Sequence, residues 1–162
     1  GHAFGNRLAR TFTTLYPSYV EALILMASGG NFEMNEKQKS CLSGSVNPKL
    51  DYDERLKAIE CAFFAKGNDA SVWMKGWYPE LADAQVLASQ MINGEFFKRA
   101  GGKSFMLIQA KEDFIAPPDK AGKILKAELG SQVTYVEIAH AGHALSSEQP
   151  ELIVEEILGY LQ

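Results

Sequence analysis

The amino-acid sequence predicts an α/β fold in which a parallel sheet is flanked by helices. Segments with strand character alternate with segments of helical periodicity, an order typical of parallel sheets. The first strand segment, residues 22–27, is apolar at every position, as expected for a strand that is covered on both faces. At 162 residues, 46% of them apolar and 22% charged, the chain suits one globular domain.

The first predicted section, residues 1–30, contains a helix and the strand of residues 22–27. Apolar residues at i, i+4 and i+7 predict the helix over residues 6–16, which Pro17 ends. These apolar residues are Leu8, Phe12 and Leu15. The sequence offers no obvious partner for one flank of the strand.

The middle section, residues 31–100, reads as a helical insertion without strands. Residues 31–50 are polar and irregular, whereas residues 51–65 carry acidic side chains in the first turn and an apolar face, as helices do. Two further helices are predicted over residues 69–77 and 79–91.

The last section, residues 101–162, again alternates strands with helices. Strands are predicted over residues 104–110 and 132–138, with a helix between them that Gly130 ends. A final helix begins at about Pro150 and carries an apolar stripe.

Composition excludes several classes of function. Sixteen basic and twenty acidic residues give a net charge of −4 without a basic block, so no nucleic-acid partner is expected. The longest apolar run is residues 22–27, too short to span a membrane, so no membrane partner is expected either. Cys41 and Cys61 match no metal or disulfide pattern; reduced thiols and a cytoplasmic location are therefore predicted.

Three features could carry chemistry. Gly1 and Gly5 bracket a tight turn that opens a helix, and Asp113 and His143 each follow a strand. Singly, each has a commoner explanation: a simple turn, a helix-capping acid and an exposed loop histidine. His140 near His143 lacks further ligands, so no metal is expected. Turn, acid and histidine in this order match the order of a hydrolase triad.

These motifs resemble those of the α/β-hydrolases. Residues 1–10 resemble the nucleophile elbow and its helix, residues 111–118 the acid loop, and residues 141–151 the histidine loop and last helix. The insertion of residues 31–100 lies where that family places a lid. The resemblance covers the whole chain but only the C-terminal part of the family's domain, so we expect the N-terminal strands to be missing and the chain to be a fragment.

The resemblance implies hydrolysis of a small ester or related acyl substrate, with no cofactor and a small-molecule partner. It assigns the acid to Asp113, the base to His143 and an oxyanion-hole N–H to Phe4. The family's nucleophilic serine falls on Ala3, which has no group that can attack. Ala3 is either an engineered exchange or the natural residue of a re-purposed branch.

Three residues are candidates for the substrate pocket: Ser28, Trp73 and Trp77. For the two tryptophans, packing of the insertion onto the body is an equal alternative. Two other functions stay open at this point. His143 and Asp113 could act as a base dyad without a covalent nucleophile, or the protein could bind a ligand without catalysis.

Overall fold

A computed structural model of the chain describes residues 1–29, 32–75 and 78–162. Over these ranges it contains one parallel sheet of three strands in the order β1-β2-β3, which confirms the predicted fold class. The strands are β1 (Ile24–Met26), β2 (Phe105–Ala110) and β3 (Val133–Ile138). Leu107 in the central strand pairs with Leu25 on one side and with Tyr135 on the other.

The strand β1 is shorter than predicted at both ends. It stops after Met26 because Ala27, at φ 50°, turns the backbone into the left-handed region. Its outer edge also has a partner, which the sequence did not reveal. The terminal amine of Gly1 donates to Ile24 O at 2.8 Å, and the Met26 N–H donates to Gly1 O at 2.8 Å. The Ala3 N–H then donates to Met26 O at 3.1 Å, so residues 1–3 run alongside β1.

Helices cover the sheet and form the insertion between β1 and β2. They are α1 (Gly5–Leu15), α2 (Glu36–Ser45), α3 (Tyr52–Phe63), α4 (Pro79–Met91), α5 (Gly94–Lys98), α6 (Gly122–Leu129), α7 (Leu145–Glu148) and α8 (Pro150–Leu161). The helical insert, α2 to α5 with their connections, therefore lies between two neighbouring parallel strands. It leaves the carboxyl end of β1 and returns to the amino end of β2.

Two details of the helical insert differ from the sequence prediction. Residues 31–50 were expected to be irregular, yet α2 forms there. Asn35 begins it with a capping box, in which Asn35 Oδ1 accepts from the Gln38 N–H at 2.9 Å and Gln38 Oε1 accepts from the Asn35 N–H at 2.8 Å. The helix predicted over residues 69–77 is a single 3₁₀ turn, Ala70–Trp73, in the part of that range that is described.

The prediction of reduced thiols is wrong. Cys41 in α2 and Cys61 in α3 form a disulfide, with their Cα atoms 5.8 Å apart, because the two helices pack side by side. The cytoplasmic prediction rested on free thiols and loses that support. No helix within the described ranges has the length and apolar character needed to cross a membrane.

The core has one layer on each face of the sheet. Central β2 is buried at every position, as a strand covered on both faces should be. On one face Met106 and Ile108 pack against Ile153 of α8. On the other face Phe105 and Leu107 pack against side chains of α1 and α6. The layer on the α8 face also includes Ala110 and Ile138, the last residues of β2 and β3, so any site at this end of the sheet lies in the loops beyond them.

Helix α1 forms as predicted, but its apolar face points outward. Leu8, Phe12 and Leu15 are 60%, 48% and 55% exposed, whereas Asn6 and Arg10 are buried. The guanidinium of Arg10 lies 4.9 Å from the centre of the Phe97 ring. Burial lowers the pKa of Arg10 to about 10.

Candidate active site

The residues before α1 form a tight, strained turn around Ala3. Ala3 has φ 49°, a left-handed conformation that is uncommon for any residue other than glycine. Gly1 has no room for a side chain: a Cβ there would lie 2.7 Å from Gly5 C. The Gly5 N–H donates to His2 O at 2.7 Å and closes the turn. The two glycines and the strain match a nucleophile elbow.

The turn at Ala3 is followed by a backbone N–H, that of Phe4, and is held in place by hydrogen bonds from Asn6. Among the described residues no acceptor takes the Phe4 N–H, which stands at the N-terminus of α1, where the helix dipole favours negative charge. Asn6, 1% exposed, donates from Nδ2 to Ala3 O at 3.0 Å and to Met26 O at 2.7 Å. Asn6 thus ties the elbow to the end of β1, a role that the sequence analysis missed.

Asp113 and His143 meet at the carboxyl ends of β2 and β3. His143 Nδ1 lies 2.9 Å from Asp113 Oδ2 and 3.0 Å from Oδ1, and both side chains are almost fully buried. The Ala116 N–H donates to Asp113 Oδ1 at 2.7 Å and shapes the acid loop. Gln109 of β2 donates from Nε2 to Ala116 O at 2.7 Å. The sequence analysis missed this role of Gln109, although a glutamine in an otherwise apolar strand could have indicated it.

The carboxylate fixes the state of the histidine ring. Because an ionised carboxylate only accepts, His143 Nδ1 carries the proton toward Asp113, and Nε2 is left to accept one. His2 connects the elbow to this histidine: its Nε2 donates to His143 O at 2.7 Å, and the two rings are 5.2 Å apart. The pKa of His2 is lowered, first by burial and then by the nearby His143.

Aromatic residues of the helical insert cover this pair. The Phe63 ring lies 5.8 Å from the His143 ring, and the Trp73 ring lies 5.4 Å from Phe63 and 6.3 Å from His2. Trp73 Nε1 also donates to Ser147 Oγ at 2.8 Å. Trp73 therefore packs against Phe63, His2 and Ser147, and its place in a substrate pocket stays a prediction.

The other two candidates for the substrate pocket are Ser28 and Trp77. Ser28 is 1% exposed, and its Oγ has no hydrogen-bond partner within the described residues, so it is a core residue at the end of β1. Trp77 lies outside the described residues.

Two cavities open near or within the helical insert. One, of about 680 Å³, lies between α1, α5 and α6 and is bordered by Phe4 and Arg7 of the elbow end of α1. The other, of about 580 Å³, lies within the insert, where residues such as Tyr52 and Arg55 line it, away from His143. In the ranges that the structure covers, no group of three His, Cys, Asp or Glu side chains could hold a metal ion.

No family model and no curated protein sequence matches this chain. Solved structures do match. BpoC of Mycobacterium tuberculosis H37Rv, assigned as a non-heme bromoperoxidase, is 20% identical with a TM-score of 0.77, over 99% of this chain and 65% of that one. A thermophilic esterase from Thermogutta terrifontis is 17% identical with a TM-score of 0.73, over 99% and 62%.

The chain has an α/β-hydrolase fold. A third α/β-hydrolase structure is that of CumD, a meta-cleavage product hydrolase from Pseudomonas fluorescens IP01, solved as a serine-to-alanine mutant. It is 18% identical with a TM-score of 0.65, over 99% of this chain and 62% of that one. The chain spans less than two thirds of each of these three proteins.

Proposed function

We propose that this α/β-hydrolase chain supplies the acid, the base and an oxyanion-hole donor for hydrolysis of a small ester or related acyl compound, with Ala3 in the nucleophile's position. The observation that carries the proposal is the buried hydrogen bond between Asp113 and His143, beside the strained turn at Ala3. An esterase and a serine-to-alanine hydrolase mutant among the similar structures support this chemistry.

The hydrogen bond between Asp113 and His143 supports the role proposed for each group. Asp113 holds the Nδ1–H of His143 and stabilises the imidazolium, so Nε2 takes the proton of a hydroxyl at position 3 and later returns it to the leaving alcohol. The Phe4 N–H donates to the oxyanion that develops on the carbonyl oxygen. With Ala3 there is no oxygen to attack, so this chain binds the substrate and forms no acyl-enzyme.

In this proposal the helical insert acts as the lid. Phe63 and Trp73 shield the His143 ring from water, which strengthens the hydrogen bond to Asp113 and favours an apolar acyl group. The substrate is a small molecule. With a serine at position 3, the acyl group passes to its hydroxyl as the alcohol leaves, and a water molecule that gives its proton to His143 Nε2 then releases the acid.

The test restores the missing oxygen. In the full-length chain, Ala3→Ser should be labelled covalently by a serine-directed fluorophosphonate, and its ester hydrolysis should rise by at least about a hundredfold, because triad members act as a unit. Ala3→Gly is the matched control, since it also suits the left-handed turn but carries no nucleophile. The double variant Ala3→Ser/His143→Ala should lose both gains.

Other outcomes would contradict the proposal and favour a different function. If Ala3→Ser gains nothing while His143→Ala abolishes turnover by the unsubstituted chain, the pair acts as a base dyad on water or substrate. If neither substitution changes any turnover and a ligand still binds, the protein is a non-catalytic binder.

A further inference from the structure

Glu148, at the end of α7, gathers three N–H donors from two separate parts of the chain. Its Oε2 accepts from the Gly142 N–H at 2.7 Å, in the loop that carries His143. Its Oε1 accepts from the Ala65 N–H at 2.7 Å and from Asn68 Nδ2 at 2.6 Å, both in the segment that follows α3. One carboxylate thus joins the histidine loop to the helical insert.

The backbones of the histidine loop and the helical insert are closely packed at this junction. The Ala144 N–H donates to Phe63 O at 2.8 Å, and both Gly142 and Ala144 are buried. A Cβ on Gly142 would lie 2.6 Å from Phe63 O and 2.8 Å from Ala65 N, so backbone lies directly against backbone. Glu148 itself is half-buried, and hydrogen bonds to a charged carboxylate are stronger than those between neutral groups.

The carboxylate of Glu148 serves as an acceptor and not as an ion-pair partner. No ion pair among the described residues includes it, and all three of its donors are neutral N–H groups. Two of those donors are backbone amides on either side of the junction, so the position of Glu148 sets the distance between residues 142 and 65.

We propose that Glu148 is a positioning residue for His143, through which docking of the helical insert sets the orientation of the base. The proposal rests on the proposed function in taking His143 as that base. Gly142 directly precedes His143, so a displaced amide at Gly142 turns the His143 ring relative to Asp113. A misplacement of even about 1 Å weakens a catalytic hydrogen bond severely. The orientation of the His143 ring then depends on whether the helical insert is docked.

The experiment reads the histidine ring directly. In the full-length chain with Ala3 unchanged, the Nδ1 proton of His143 is followed by ¹H–¹⁵N spectroscopy, and its exchange with solvent is timed. Glu148→Gln keeps the shape but turns an NH₂ group toward a backbone N–H, so exchange should quicken by at least about tenfold. Asn68→Ala removes the insert's side-chain donor to Glu148, together with the bond from Asn68 Nδ2 to His140 O at 3.1 Å, and should act in the same direction, by at least about threefold.

Gln149→Ala is the matched control. Gln149 Nε2 donates to His140 O at 3.1 Å, the carbonyl that also accepts from Asn68 Nδ2. This variant therefore removes a hydrogen bond to the same loop and leaves all three donors to Glu148 in place. Its His143 proton should exchange at the unsubstituted rate. In the Ala3→Ser background, Glu148→Gln should lower kcat with little change in KM, the pattern of a misaligned base.

Three results would overturn the proposal: an unchanged His143 proton in Glu148→Gln, an effect of Glu148→Gln that Asn68→Ala does not share, or an equal acceleration of exchange at every amide, which marks general loosening. The readout needs no turnover. If Ala3→Ser stays inert while the His143 proton responds as expected, the proposed function fails and the positioning role stands.

Discussion

Replacing Gly142 by alanine tests the junction between the histidine loop and the helical insert. The backbone of Gly142 is not in the left-handed region, so conformation alone does not demand glycine there. Contact does: the new Cβ would lie 2.6 Å from Phe63 O, 2.8 Å from Ala65 N and 2.9 Å from Phe64 C. All three are backbone atoms, which cannot swing aside as the end of a side chain can.

The expected loss of stability combines two effects. Overpacking of a tight interior costs about 1–3 kcal/mol. Moving the backbones apart also stretches the bonds from Gly142 to Glu148 and from Ala144 to Phe63, each worth about 1 kcal/mol. The free energy of unfolding should therefore fall by about 3 kcal/mol, or roughly 6–12 °C in Tm for a chain of this size.

Urea unfolding followed by far-UV circular dichroism measures this loss. Gly159→Ala is the control, because nothing lies within 4 Å of the added Cβ and the residue is in α8; it should gain about 0.5 kcal/mol. The close contact would be refuted if the unfolding free energy of Gly142→Ala lay within about 0.5 kcal/mol of that of the unsubstituted chain, with the same dependence on urea concentration.

Two further predictions concern the disulfide and the elbow. Cys41 and Cys61 are 20 positions apart, so the Cys41→Ser/Cys61→Ser variant should be less stable by about 3 kcal/mol; equal urea midpoints with and without reductant would contradict this. The pKa of His2 is below its ordinary value of 6.5, so unfolding takes up a proton between that pKa and 6.5, and stability should fall as the pH drops through this window. His2→Gln should flatten that part of the curve of unfolding free energy against pH, and an unchanged curve would rule out this contribution.

The sheet and the order of the site residues were readable from the sequence because they depend on local patterns. Continuous apolar runs marked β1 and β2, and the positions of Asp113 and His143 directly after strands placed both at one edge of the sheet. Hydrophobic periodicity extends over a few residues, so a single sequence carries it.

The parts that were missed depend on which segments meet in space. The pairing of Cys41 with Cys61 needs α2 to lie against α3, and α2 itself lacked an apolar face; the capping box from Asn35 was its one local mark. The junction at Glu148 joins residues more than seventy positions apart, as the separation of 83 from Ala65 records. No local pattern encodes such contacts.

The left-handed conformation of Ala3 has a consequence for how the site could change over generations. The conformation disfavours a residue with a side chain by roughly 1–2 kcal/mol, and it is maintained by Gly1 and Asn6 rather than by position 3 itself. Every alanine codon is one nucleotide away from a serine codon. Gain and loss of a hydroxyl at position 3 are thus separable from the shape of the turn. Under the proposed function, a single point mutation separates a chain that binds an ester from one that cleaves it, while the fold stays the same.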